Sequence, residues 1–228
     1  MAEDDPIREL PDTAPVFPLP DTVFFPRTVL PLHIFEPRYR EMAERAIEGD
    51  GFIAMALIRG NSAWLGAPAY HPVGCLGRIT KSRKTEDGRY YLHLVGLRKV
   101  TFGEEIADGK PFRTARIAPI EERIPGDAEP QSHEDLVHLL GACAVLFQEV
   151  SEQDFPMVSI KEGLPYEAVV NSVCFHIGLP AEVKQSLLEE DDVRARCVRL
   201  TELVNRYLQK IVLSRDTDEG ASDDEPVN

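Results

Sequence analysis

The chain has 228 residues, 43% of them apolar, which is enough for one large domain or two small ones around a real core. Its formal charge of −14 and pI of about 4.9 oppose contact with nucleic acid or anionic membrane, both of the same sign. No apolar run approaches the ~20 residues of a bilayer-spanning helix, and the acidic start MAEDDPIREL lacks the basic-then-apolar order of a signal peptide, so a cytoplasmic protein is expected.

The charge is concentrated at the ends, with −4 in residues 1–12 and −5 in residues 214–228. Residues 1–13 and 214–228 are therefore expected to be solvated, disordered acidic segments. Between them, residues 14–121 read as mostly β. Val16-Phe17, Val23–Phe25 and Val29–Ile34 are short apolar runs interrupted by Pro18, Pro20, Pro26 and Pro31. Proline cannot donate to a ladder, so such strands are short, bent or at an edge. A helix then opens at Pro37 and ends at Gly49, a residue suited to a left-handed terminus. Tyr39, Met42, Ala43, Ala46 and Ile47 fall on one stripe of that helix, and Glu41 and Arg45 form a favourable i,i+4 pair on the other side.

Strands are expected at Phe52–Ile58 and Gly74–Ser82, followed by a two-residue Asp87-Gly88 hairpin turn with positive φ angles. Arg89–Val95 returns from it, and Val100–Ile106, a turn at Asp108-Gly109 and Phe112–Ile120 complete the sheet. Residues 122–132, rich in proline, glycine and charge, read as a linker. The period then becomes helical through 133–213. Ser132 with Asp135 resembles a capping box ahead of Leu136, Leu139, Leu140, Cys143, Phe147 and Val150. A second helix begins near Pro165 and stops at Gly178, a third follows Pro180, and a fourth runs behind an Asp191-Asp192 cap through Val193, Cys197, Leu200, Val204, Tyr207 and Ile211. The fold class is thus α+β, a β pseudo-barrel followed by an α-helical bundle.

Candidate chemistry is sparse. Cys75, Cys143, Cys174 and Cys197 are far apart in apolar settings and read as buried hydrophobes rather than a disulfide framework. Cys174-x-His176 has no second ligand pair, so no metal or other cofactor is expected. The six histidines match no catalytic spacing, and no G-x-S-x-G occurs, which leaves a cryptic hydrolase as the least favoured class. His33, among apolar neighbours in PLHIF, reads as a core histidine of the barrel. Between Arg78 and Lys99 seven bases face only Glu86 and Asp87. Arg78, Lys81, Arg83, Lys84 and Arg89 are accordingly the candidates for an RNA-binding alternative, against a solvated hairpin whose charges protect an exposed edge. The favoured class is protein binding, because short bent strands leave edges to which an extended peptide can add. Its candidate anchors are Phe24 and Phe25 beside Pro26, and Trp64 and Tyr70 in the GNSAWLGAPAYHP loop.

The segment PLHIFEPRYR, Pro31 to Arg40, closely resembles the opening of the Lon-protease N-terminal (substrate-binding) domain, particularly its free-standing bacterial members. The run Val95, Gly96, Leu97, Arg98, Lys99, Val100 and the later LLEEDDVRARCVRLTELV are similar to further stretches of that family, so the resemblance spans about residues 14–212. It implies a PUA-like barrel with a helical companion that recognises unfolded polypeptide segments or a partner protein, as an adaptor in protein quality control. Homo-oligomers are compatible with it. A full Lon protease continues into an ATPase, whose phosphate loop needs G-x-x-x-x-G-K-[ST], and a serine–lysine peptidase; neither pattern occurs here, and the expectation is a protein that is not an enzyme.

Overall fold

The computed structural model describes residues 10–60, 68–126, 129–149 and 163–220, with side chains as far as residue 211. It contains six strands, β1 (Thr13–Leu19), β2 (Val29–Ile34), β3 (Phe52–Leu57), β4 (Val73–Lys84), β5 (Tyr90–Glu105) and β6 (Arg113–Pro119). Five helices accompany them: α1 (Pro37–Glu48), α2 (Pro130–Glu149), α3 (Tyr166–His176), α4 (Ala181–Leu188) and α5 (Val193–Gly220). The class is α+β. Residues up to Glu121 together with Pro180–Glu189 form one compact unit, and Glu122–Leu179 with Glu190 onward form the other. Among the described residues no helix is long and apolar enough to cross a membrane.

In the first unit the strand order is β2-β5-β4-β3-β1-β6, and a further β5–β6 pairing closes β5, β4, β3, β1 and β6 into a ring. Each of those five strands sends one residue into a shared interior layer: Ala14, Ala54, Leu76, Val100 and Ile117. Val16, Ala56 and Ala115 form the next layer. Alternating small alanines with larger aliphatics is how side chains fit so narrow an interior. Strand β2 stands outside the ring, paired antiparallel to the first half of β5 from Val29↔Val95 to Ile34↔Tyr90.

Several expected elements take a different form. Val23–Phe25 is not a strand but a loop, anchored where the Arg27 amide donates to the Gly96 carbonyl at 2.8 Å. Strand β5 continues unbroken through Gly96–Lys99, where the sequence suggests two strands; register shifts against β4 at Leu76/Gly77 and Ile79/Lys81 supply the bend that would otherwise break it. The Asp87-Gly88 turn is not a two-residue hairpin. Thr85 and Arg89 close it, the Gly88 amide donates to Thr85, and Gly88 alone has positive φ, at 79°. Helix α1 ends as expected, but Gly49 has φ −98° and the left-handed residue is Gly51. The expected stripe buries Tyr39, Met42, Ala43 and Ala46 and leaves Ile47 exposed, and the Glu41–Arg45 pair forms at 2.9 Å.

Helix α4, which the sequence groups with the helical bundle, belongs by its contacts with the sheet. The buried Gln185 amide donates to the Val73 carbonyl at 2.9 Å, and Glu182 and Glu189 lie 3.1 and 3.4 Å from the two ring nitrogens of His71. The second unit packs α5 against α2 and α3. Its apolar core includes Leu139, Cys143, Val170, Val173, Cys174, Val193, Cys197, Leu200 and Val204, whereas Tyr207 stays exposed. Helix α2 opens at Pro130, so Ser132 is buried inside the helix rather than capping it. The cap expected on α5 is present: Asp192 accepts from the amides of Arg194 and Ala195 at 2.9 and 3.1 Å. All four cysteines are buried, and burial pushes the Cys143 and Cys197 thiols up to about 11, which makes them packing groups rather than nucleophiles.

Candidate functional site

The ring closes without β2, and among the described residues no strand covers the outer edge of β2. The Gly96 amide donates to the Thr28 carbonyl at 2.9 Å. The two-residue alternation of an antiparallel ladder then turns the backbone of Leu30, Leu32 and Ile34 toward β5 and that of Val29, Pro31 and His33 away from it. Pro31 therefore lacks its N–H on the side where no partner strand lies, which is where a strand tolerates proline. Among the described residues β2 pairs with β5 alone.

Beside this edge is a cleft of about 300 Å³. Its wall on one side is the end of β1 with Pro20, and on the other the end of β2 with the entry to α1. Leu32 and Ile34 alternate inward from β2, Phe17 packs its ring 4.4 Å from that of Tyr39, and Ile58 adds to the apolar lining. At the rim Phe35 is 58% exposed. Arg38 pairs with Glu36 at 3.0 Å and stands over the Tyr39 ring at 4.5 Å. Burial holds the Tyr39 hydroxyl above its ordinary value, so it stays neutral and protonated. The cleft thus offers apolar surface for one or two side chains, next to a strand edge whose amides and carbonyls point outward. Such an arrangement can bind an extended chain: backbone hydrogen bonds to the edge, alternate side chains into the cleft.

The residues singled out from sequence are distributed differently. Phe24 and Phe25 are corrected from surface anchors to core: they are 2% and 0% exposed. The physical reason lies opposite them. A β-carbon at Gly77 would come 2.8 Å from the Phe24 ring and one at Gly96 2.2 Å from the Phe25 carbonyl, so these glycines open the space that the loop fills. Trp64 lies outside the described residues. Tyr70 is half-buried: its hydroxyl donates to Glu105 at 2.9 Å, and Arg113 covers its ring at 4.3 Å while also pairing with Glu105. Burial and the Glu105 carboxylate raise its hydroxyl far above the ordinary phenol value.

The cations of the hairpin are mostly engaged. Lys84 pairs with Glu44 at 2.8 Å, Arg89 with Asp87 at 2.9 Å, and Arg78 stands over Phe52 at 5.6 Å. Lys81 and Arg83 alone share an open face with aromatic neighbours, Arg83 lying 5.0 Å over the Tyr91 ring. His33, read as a core residue, is instead exposed and stacked on Tyr91 at 4.6 Å. The site residues that sequence reasoning missed are His33, Phe35 and the cleft-lining Leu32, Ile34 and Tyr39. The signal that finds them is Pro31, since proline within an otherwise alternating strand marks an edge, and its neighbours at period two then divide into outward and inward sets.

A family model described as the ATP-dependent protease La (LON) substrate-binding domain matches residues 13–206. Among similar proteins, Lon protease of Desulfosudis oleivorans is 25% identical over 219 residues, covering 90% of this chain and 25% of that protein. Lon protease 2 of Syntrophobacter fumaroxidans is 28% identical over 211 residues, covering 90% of this chain and 26% of that protein. The chain therefore spans about a quarter of the length of the curated relatives it matches. Two solved structures share the fold. The N-terminal domain of Mycobacterium avium complex Lon protease superposes with a TM-score of 0.65 at 16% identity, covering 85% of this chain and 98% of that one. The Lon N-terminal domain protein from Xanthomonas campestris gives 0.59 at 20% identity, covering 82% and 96%.

Proposed function

We propose, from the premise that the chain belongs to the family of the ATP-dependent protease La (LON) substrate-binding domain, that it is a non-catalytic recognition module that holds an unfolded polypeptide segment as an added strand on β2. The observation that carries this reading is the outward-facing backbone of Val29, Pro31 and His33 beside the apolar cleft between Pro20 and Phe35. A bound segment gains hydrogen bonds that do not depend on its sequence, and the cleft selects apolar residues at every second position. That combination suits the recognition of unfolded chains, which expose such residues in many sequences. In the cytoplasm such a module serves protein quality control by presenting what it holds to a peptidase, as an adaptor. The RNA alternative is weaker, because Lys84 and Arg89 are already paired with carboxylates.

The test is His33→Pro, which removes one outward N–H and leaves the β2–β5 ladder intact. With a fluorescently labelled, reduced and alkylated protein as the unfolded probe, anisotropy should show binding weakened about tenfold or more. That loss corresponds to an acceptor left unpaired at ~1–3 kcal/mol. Unchanged affinity in a variant that melts like the parent protein would remove the β2 edge from the account.

A further inference from the structure

The open face of β2, β5 and β4 carries a second surface, whose cations stand on β4, two strands from the β2 edge. Cross-strand register aligns three rows on it: Val29, Val95 and Arg78; Pro31, His93 and Lys81; His33, Tyr91 and Arg83. None of these nine side chains is acidic, although acids outnumber bases by 14 in the chain as a whole. Val29, Pro31, His33, Lys81, Arg83, Tyr91 and His93 are all exposed. The third row is pre-ordered as a stack. Phe35 lies 5.9 Å from His33, His33 is 4.6 Å from Tyr91 at an interplanar angle of 10°, and the Arg83 guanidinium is 5.0 Å from the centre of the Tyr91 ring. Stacking on Tyr91 holds Arg83 upright without neutralising it, and no carboxylate among the described residues pairs with Lys81 or Arg83.

We infer that this face docks an acidic polypeptide segment of a partner protein, with Lys81 and Arg83 as the principal cations. The two residues are two positions apart on β4, a step of roughly 6–7 Å, which equals the spacing of alternate side chains in an extended acidic segment. Single-stranded nucleic acid fits less well. Its sequence-tolerant binding relies on free aromatic faces, and the Tyr91 ring is already engaged by His33 from β2 and by Arg83 from β4. The acidic remainder of the chain also opposes a long polyanion while leaving a short segment free to dock locally.

The probe is a fluorescein-labelled decaglutamate peptide, with a ten-nucleotide oligouridylate alongside, both titrated against the full chain by anisotropy at about 20 mM and about 150 mM salt. Decaglutamate binding that weakens with salt, and that falls at least tenfold in the Lys81→Glu/Arg83→Glu variant, is the expected result. Lys81→Gln/Arg83→Gln should shift it in the same direction by less, which guards against a fold disturbed by charge reversal. The unfolded-protein probe should bind both variants as it binds the parent, because neither residue lines the β2 edge or its cleft. Absence of decaglutamate binding at low salt, binding indifferent to both double variants, or tighter binding of the oligouridylate would each overturn the inference.

Discussion

Truncating Phe35 to alanine removes the largest exposed side chain at the rim of the cleft. The residue is 58% exposed. A phenylalanine presents on the order of 200 Å², so roughly 115 Å² of it is available to a ligand. At about 25 cal/mol per Å², complete coverage corresponds to ~3 kcal/mol. The β-carbon that alanine retains, and the ordering of ligand and rim on binding, reduce the observable loss to ~1–2 kcal/mol, or about 5- to 30-fold in Kd. Stability should barely change, because substitutions at exposed positions stay within ~0.5 kcal/mol. Anisotropy with the labelled unfolded protein gives the Kd, and a thermal melt confirms the fold. Ile47→Ala is the matched control: Ile47 is also exposed, at 38%, but it sits on α1 outside the cleft lining. Equal losses for the two variants, or none for Phe35→Ala in an intact fold, would refute the assignment of the rim.

Two further outcomes concern the scaffold. Glu122→Ala should destabilise the helical unit by ~3–5 kcal/mol in a denaturant titration, because it strips the carboxylate from the wholly buried Arg196. Asn171 at 2.6 Å and the Glu190 carbonyl at 2.5 Å do not replace its charge, and pairing the change with Arg196→Met should recover most of the loss. For Glu105, the hydrogen bonds from Arg113 and Tyr70 hold the carboxyl below its usual value of 4.5. A carboxyl depressed in the folded state contributes stability that is present above its unfolded value and lost as pH falls through the folded one. The melting difference between the parent protein and Glu105→Gln should therefore be constant near neutrality and shrink below pH 4.5; a difference that grows on acidification would contradict the pairing.

Much of the scaffold is legible in the sequence because local chemistry decides it. Pro37 opens α1 wherever the chain goes next, and Asp192 caps α5 with its own side chain. The site is less legible, because pairing decides it. Whether Phe24 and Phe25 face water depends on Gly77 and Gly96, which lie about 50 and 70 residues further along the chain and matter only once β4 and β5 pass beneath the loop. The register shift between Ile79 and Lys81 leaves Thr80 of β4 without a register partner and alters the alternation of that strand, so no fixed period in the sequence brings Arg78, Lys81 and Arg83 opposite Val95, His93 and Tyr91. His33 shows the same dependence. Its apolar neighbours suggest a core position, yet β2 is an edge strand with one open face, and alternation turns His33 toward that face.

Amide hydrogen exchange at single-residue resolution, with and without a saturating unfolded-protein probe, tests the central claim most directly. Strand addition predicts that the Val29 and His33 amides, which point away from β5, exchange at least tenfold more slowly in the complex, while Leu30, Leu32 and Ile34 are protected in both states. Probe binding that leaves the Val29 and His33 amides as exchangeable as before would contradict it.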